Sequence, residues 1–400
     1  MGAGLLPPSW GHLYMGPVHD RLESRRSAAL DGLRGYAAAA VVFYHTILGS
    51  WPGLIEQVVR KGLPDQPTAE RALLKLVLAL VSGEWAVTVF FVISGIVLFR
   101  ALNTMHRGEG PTAAASTAWR FLLRRALRIW PVMAVCLAVH TVSFRMLDWA
   151  WPGTVEAYSW RDLLANLTLF RSPVNGATWT LAVELAGAPV LVLAFLSVRR
   201  SGLYGLIPFF LYSALAFKAK SLLAWSPGLT IGFPALLLGV GLECGALDWA
   251  ARMRAWRWVP VLGVGLVLYA LLLPLSAFKS HTILLFGGIT LFMAWVRRLR
   301  AGRIFDLLCA PLSQYFGRIS FSLYLWNVPV FTALLELCDQ DRLRASPLLW
   351  GLGVGLVTLM VTIPIADLSE RWLERPCVRL GRALTGAGRG LLVTPGAPAR

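Results

Sequence analysis

Apolar runs of near-spanning length recur from residue 29 to residue 368, and they leave this chain few ways to fold. Inside a bilayer every backbone N–H and C=O must be paired within the protein, which restricts spanning structures to helices and closed barrels. Runs approaching ~20 apolar residues fit helices. Hydrophobic residues make up 56% of the 400 and charged residues only 15%, with a mean hydropathy of +0.62. A soluble domain could not bury that much apolar surface. The expected fold class is therefore all-α, a polytopic transmembrane helix bundle. We place about ten spans, at 29–49, 80–100, 129–147, 179–198, 203–217, 228–247, 257–275, 281–296, 318–336 and 348–368. The stretch 70–80 (ERALLKLVLAL) reads as a re-entrant or interfacial piece feeding the second span, and 163–170 (LLANLTLF) is too short to cross.

The formal net charge is +17. In a soluble protein that would point to nucleic acid; in a membrane protein it points to cytoplasmic loops, which collect Lys and Arg. With the N-terminus inside and the spans alternating, most of the 38 Lys and Arg fall on the cytoplasmic side. They include Arg124, Arg125 and Arg128, Arg199 and Arg200, Arg252, Arg254 and Arg257, and the cluster from Arg297 to Arg303. Both termini are therefore expected in the cytoplasm, with no nucleic-acid partner needed to explain the charge. Residues 1–27 lack the apolar core of a signal peptide and read as a cytoplasmic N-terminal segment. Residues 28–376 form the transmembrane domain and 377–400 a flexible cytoplasmic tail. The location expected is the cell (plasma or inner) membrane, with bilayer lipid as surroundings. The five cysteines form no CxxC or CxxH pair, so neither a metal site nor a disulfide framework is supported. The glycines of GLGVGL at 351–356 lie in a span, where close helix packing explains them better than phosphate binding.

Ionisable residues within the spans need a reason, because they are costly in lipid. Arg34 and His45 stand eleven positions apart in LDGLRGYAAAAVVFYH. Eleven residues are three helical turns with about 20° left over, so the two share one face, about 16 Å apart along the axis. Asp31 and Ala38 lie on the same side. In the expected orientation Arg34 lies near the cytoplasmic end and His45 in the outer half. Arg125 and Arg128 begin the third span from inside, and Glu184 enters the fourth from outside, about as deep as His45. Alone, Arg125 and Arg128 read equally well as ordinary positive-inside residues, and Arg34 as a snorkelling residue paired with Asp31. Glu184, among Leu, Ala and Val, needs a partner or a cavity. His140 near the end of the third span has no motif around it and reads as structural. Guanidinium groups bind phosphates bidentately, and imidazole is the side chain best poised to take a proton near neutral pH. The pattern predicts a phosphate-bearing donor at the inner face and an acid–base group beyond it, with Glu184 beside the imidazole.

Five segments in order carry a family resemblance: LDGLRGYAAAAVVFYH, FFVISGIVLF at 90–99, FLLRRALRIWP at 121–131, TWTLAVEL at 178–185 and ISFSLYLWNVPV at 319–330, closed by SERWLERP at 369–376. The chain resembles the acyltransferase-3 family of integral-membrane O-acyltransferases, in its stand-alone form without an SGNH domain. The resemblance implies transfer of an acyl group, often acetyl, from acyl-CoA to a hydroxyl of a carbohydrate, lipid-linked or macrolide-type acceptor, with no bound cofactor. It implies His45 as catalytic base with Glu184, and Arg34, Arg125 and Arg128 as donor-handling residues. Asp31, Ser94, Trp179 and Asn327 stand in the matching motifs as supporting residues. Many family members read YLWH where this chain has YLWN, so Asn327 departs from the pattern and cannot act as a base near neutral pH. The alternative function is a permease or flippase of glycan precursors using the same polar path.

Overall fold

The computed structural model describes residues 17–386 apart from 107, 109, 154, 156, 219–227 and 274–277, with backbone alone at 17–26, 217–218 and 278–279. It is 85% helical, and the described residues contain no strand. The helices are α1 (Pro17–Gly49), α2 (Ala69–Leu80), α3 (Gly83–Met105), α4 (Pro111–Ala150), α5 (Trp160–Leu167), α6 (Trp179–Ser201), α7 (Ile207–Lys218) and α8 (Leu229–Glu243). They continue with α9 (Val259–Leu272), α10 (Phe278–Val296), α11 (Arg303–Cys309), α12 (Pro311–Leu337), α13 (Gln340–Ala345), α14 (Pro347–Ser369) and α15 (Arg375–Leu384).

Among the described residues six helical runs are long and apolar enough to cross a membrane: 69–105, 111–150, 176–216, 254–272, 311–337 and 347–384. Two shorter apolar helices, Leu229–Glu243 and Ser280–Val296, add to these. The expected re-entrant piece at 70–80 is the separate helix α2; the serine cap of α3 follows it, with Ser82 Oγ accepting from Glu84 N at 3.1 Å. The third expected span is far longer than 129–147. It starts at Pro111, directly after Gly110, whose φ of 91° suits glycine. Residues 377–384, expected in a flexible tail, are helical and packed on α4, where Arg124 Nε donates to Thr385 Oγ1 at 2.7 Å. The remainder of that tail, from residue 387, and residues 1–16 of the N-terminal segment lie outside the described residues.

Backbone-to-backbone contact fixes the frame around the polar residues. A Cβ on Gly317 would run into the Asp31 carbonyl, and one on Gly35 would meet Gly317 N at 2.7 Å. Helices α1 and α12 therefore run side by side, in parallel, because only glycine admits that approach. Farther along the same pair Gly49 meets Leu335. Helix α14 runs antiparallel on the other flank, with Gly355 against Phe43 and Gly351 against Ile47. The α3–α8 pair is made in the same way at Gly95 and Gly239. Between these pairs lies the main apolar core, built on Phe91, Ile93, Ile96, Phe195 and Phe233.

Candidate functional site

Proline shapes the floor of the site. Pro329 in α12 has no N–H, which frees the carbonyl four residues earlier, that of Leu325. Asn175 Nδ2 donates to that carbonyl at 3.1 Å, and the Cys136 thiol lies 3.6 Å from it. Asn175 belongs to a loop held from the other side by Asn166. The Asn166 Oδ1 accepts from Val174 N at 3.2 Å and Asn175 N at 2.9 Å, and its Nδ2 donates to Thr178 Oγ1 at 2.8 Å. Asn166, Asn175 and Thr178 are all fully buried. The segment before α6 therefore dips into the bundle, and α6 starts beside the middle of α12.

That start moves Glu184. Its carboxylate ion-pairs with Arg125 and accepts from Ser94 Oγ at 3.0 Å, in the middle of α3. Arg125 lies about 20 Å along α4 from Pro111 and is buried. The sequence-based placement of Arg125 at the surface and Glu184 at the depth of His45 is thus corrected: the two meet inside the bundle. Arg128, one turn on from Arg125, pairs with Glu374 at 3.3 Å. Glu374 closes the single π-helical turn Glu370–Glu374 that joins α14 to α15. Arg34 reaches only Asp31, at 3.9 Å, and its Nε has no hydrogen-bond partner.

Arg34, Arg125, Arg128, Glu184, Ser94 and Tyr324 line one cavity of about 60 Å³. The end of the cavity is closed by Tyr324. Its hydroxyl donates to the Ala177 carbonyl and accepts from Thr180 Oγ1, each at 3.2 Å, and its ring packs on Phe90 with centroids 5.8 Å apart.

His45 lies beyond that partition and does not line the cavity. Its Nδ1 is 3.2 Å from Asn327 Oδ1, and its ring centroid is 5.5 Å from that of Phe331. Asn327 follows Tyr324 by three residues, so the imidazole stands roughly one turn, about 5 Å, past the cavity end. The expected contact between His45 and Glu184 is not made; Asn327 faces the imidazole, and Glu184 is held by Arg125 and Ser94. Trp179 packs edge-on against Phe91 at 6.0 Å and does not line the cavity. His140 is buried against Phe144 and Tyr158, and neither of its ring nitrogens has a hydrogen-bond partner. Among the described residues no three His, Cys, Asp or Glu side chains come together as a metal site requires.

Four residues of this region do not stand out in the sequence: Glu374, Tyr324, Asn166 and Asn175. Glu374 carried the same signal as Glu184, a carboxylate in a helical run beside buried residues, in SERWLERP. The asparagines show no periodic signal, because they serve a loop.

The described residues thus form an all-helical membrane bundle with arginines and a carboxylate around one internal cavity and a histidine outside it. The acyltransferase domain model matches residues 27–367, and the chain belongs to that acyltransferase-3 family. It is 25% identical over 453 residues to the O-acetyltransferase PaAT-1 of Phomopsis amygdali, covering 95% of this chain and 88% of that one. No solved structure matches. The protein is a membrane O-acyltransferase.

Proposed function

We propose that the protein moves an acyl group, acetyl in the simplest case, from acyl-CoA to a hydroxyl of a carbohydrate, glycolipid or macrolide-type acceptor in the cell membrane. Both termini lie in the cytoplasm on this reading, and the donor arrives from there. The observation that carries the proposal is the cavity walled by Arg34, Arg125 and Arg128, which ends one helical turn short of His45. Guanidinium groups there meet the donor's phosphates. Displacing the Tyr324 partition lets the thioester reach His45. The imidazole takes the acceptor hydroxyl's proton as the oxygen bonds to the acyl carbon. The carbon–sulfur bond breaks, and the imidazolium returns the proton to the leaving thiolate. Glu184 acts at a distance, by holding Arg125 in the cavity wall. The acetyl group is favoured by the name of the fungal relative.

Purified protein in nanodiscs, given radiolabelled acetyl-CoA and a panel of hydroxyl acceptors, tests the proposal. Label recovered as an ester, dependent on the protein and lost in His45→Ala, is the expected result. Stoichiometric acceptor movement across a sealed vesicle with no donor consumed would instead identify a carrier.

A further inference from the structure

We propose that Asn327 fixes the tautomer of His45, so that Nδ1 carries the proton and Nε2 is the atom that works on the substrate. The inference rests on His45 being the base. Asn327 is fully buried on α12. Its Nδ2 donates to two carbonyls of its own helix, Leu323 O at 3.1 Å and Tyr324 O at 2.5 Å. A primary amide has two N–H donors and one acceptor oxygen, so both donors are used within the preceding turn. What remains toward α1 is the oxygen, 3.2 Å from His45 Nδ1.

Turning the amide over would press Oδ1 against the same two carbonyl oxygens and leave both N–H groups without them. The network therefore has a single consistent assignment, which is how amide orientation is decided. An amide oxygen only accepts, so Nδ1 must be the protonated nitrogen. A neutral imidazole carries one N–H, and Nε2 then keeps its lone pair. Nε2 has no hydrogen-bond partner among the described residues, and the ring is partly exposed. Phe331 and Tyr44 flank the ring, at 5.5 and 6.4 Å.

The chemistry of this partner differs from that of a carboxylate. An amide holds the tautomer without adding a charge that attracts a second proton to the ring. The carboxylate of the cavity cannot take that part, because Glu184 is engaged by Arg125 and Ser94. Asn327 is thus a positioning residue, and its effect shows in the state of the ring rather than in donor binding. One nitrogen, Nε2, both removes the hydroxyl proton and delivers it to the thiolate.

The test is nitrogen-15 NMR of the full-length protein in nanodiscs with labelled histidine, the His45 signals being those lost in His45→Gln. The expected spectrum of the neutral ring has a protonated, pyrrole-type Nδ1 and a pyridine-type Nε2. A ring protonated at Nε2 overturns the assignment, and this reading needs no variant to fold. In folded variants, Asn327→Leu should lower kcat roughly 10–100-fold, the usual weight of a partner that fixes a histidine tautomer, with donor KM within about twofold. Asn327→Asp should move the acid limb of the kcat–pH profile to higher pH, because a carboxylate holds the proton on the ring. Unchanged kcat in Asn327→Leu and an unmoved pH limb in Asn327→Asp would also overturn it. The two readings fail separately. A folded, fully active His45→Ala protein removes the base, whereas an inactive one with an Nε2-protonated wild-type ring removes only the tautomer.

Discussion

Among the described residues, buried arginine–carboxylate pairs gather in three places: Arg125 and Arg128 with Glu184 and Glu374, Arg100 and Arg297 with Glu243 and Asp248, and Arg318 with Asp367 and Glu370. Only the first surrounds a cavity. Near the ends of α3, α8 and α10, Arg100 grips Glu243 with Nε at 2.6 Å and Nη2 at 3.0 Å. Arg297 reaches Glu243 at 3.5 Å and Asp248 at 2.7 Å, and Arg298 reaches Asp248 at 2.9 Å. Both carboxylates are spent on several guanidinium groups, as a structural clamp requires. Around the cavity Arg34 has a single distant partner, Asp31 at 3.9 Å, and Glu374 Oε2 is buried with no hydrogen bond; unpartnered guanidinium nitrogens occur in both of these places, Arg34 Nε and Arg125 Nε at the cavity and Arg297 Nε in the clamp. Buried charge alone therefore does not mark a site. What sets the first cluster apart is the open volume between Arg34, Arg125 and Arg128.

The histidines sharpen that contrast most. His45→Ala should cost roughly 10²–10⁴-fold in acyl transfer, the weight of a general base, in protein that remains inserted. His140→Leu should leave transfer unchanged, and a comparable loss there would break the distinction. Radiolabelled transfer in nanodiscs reads both.

Next come the first two ion-pair clusters. Arg125→Leu strands Glu184 in the interior and should destabilise the fold by about 3–5 kcal/mol. Adding Glu184→Leu should restore most of that stability and none of the activity. In the clamp, Arg100→Leu should also lower the thermal midpoint in detergent, but the double variant with Glu243→Leu should regain transfer along with stability. If the clamp double stays inactive, both clusters belong to the chemistry.

Arg34→Gln offers a finer test. With only Asp31 at 3.9 Å to lose, stability should change by less than about 1 kcal/mol. Donor KM should rise roughly tenfold, the worth of one charged hydrogen bond. An unchanged KM would return Arg34 to a snorkelling role. The smallest effect is expected at the partition, where Tyr324→Phe removes hydrogen bonds worth about 1 kcal/mol, measurable by thermal unfolding.

Much of this was legible in the sequence, and the limits have physical causes. Arg34 and His45 were placed on one face by helical period alone, and α1 keeps that spacing with Arg34 at the cavity and His45 past its end. The class of fold followed from apolar content. The partnership of Arg125 with Glu184 was not legible, because hydropathy begins the third span at residue 129 while the helix continues from Pro111. Hydropathy reports where lipid is, and not where a helix starts. Nor could it show that α6 begins inside the bundle, since that depends on a carbonyl freed by Pro329 in another helix and on two buried asparagines in a loop. The neighbour of His45 was visible as a residue, Asn327, but its contact depends on the parallel α1–α12 packing that Gly35 and Gly317 permit.

A protein with polar groups strung between two faces of a membrane must also remain an insulator. The Tyr324 hydroxyl is tied to Ala177 and Thr180, and Phe90 backs its ring. Tyr324 thus stands between the arginine cavity it lines and Asn327, which faces the imidazole. On the proposed reading the donor itself opens that partition, so the proton conduit exists only while there is an acyl group to transfer.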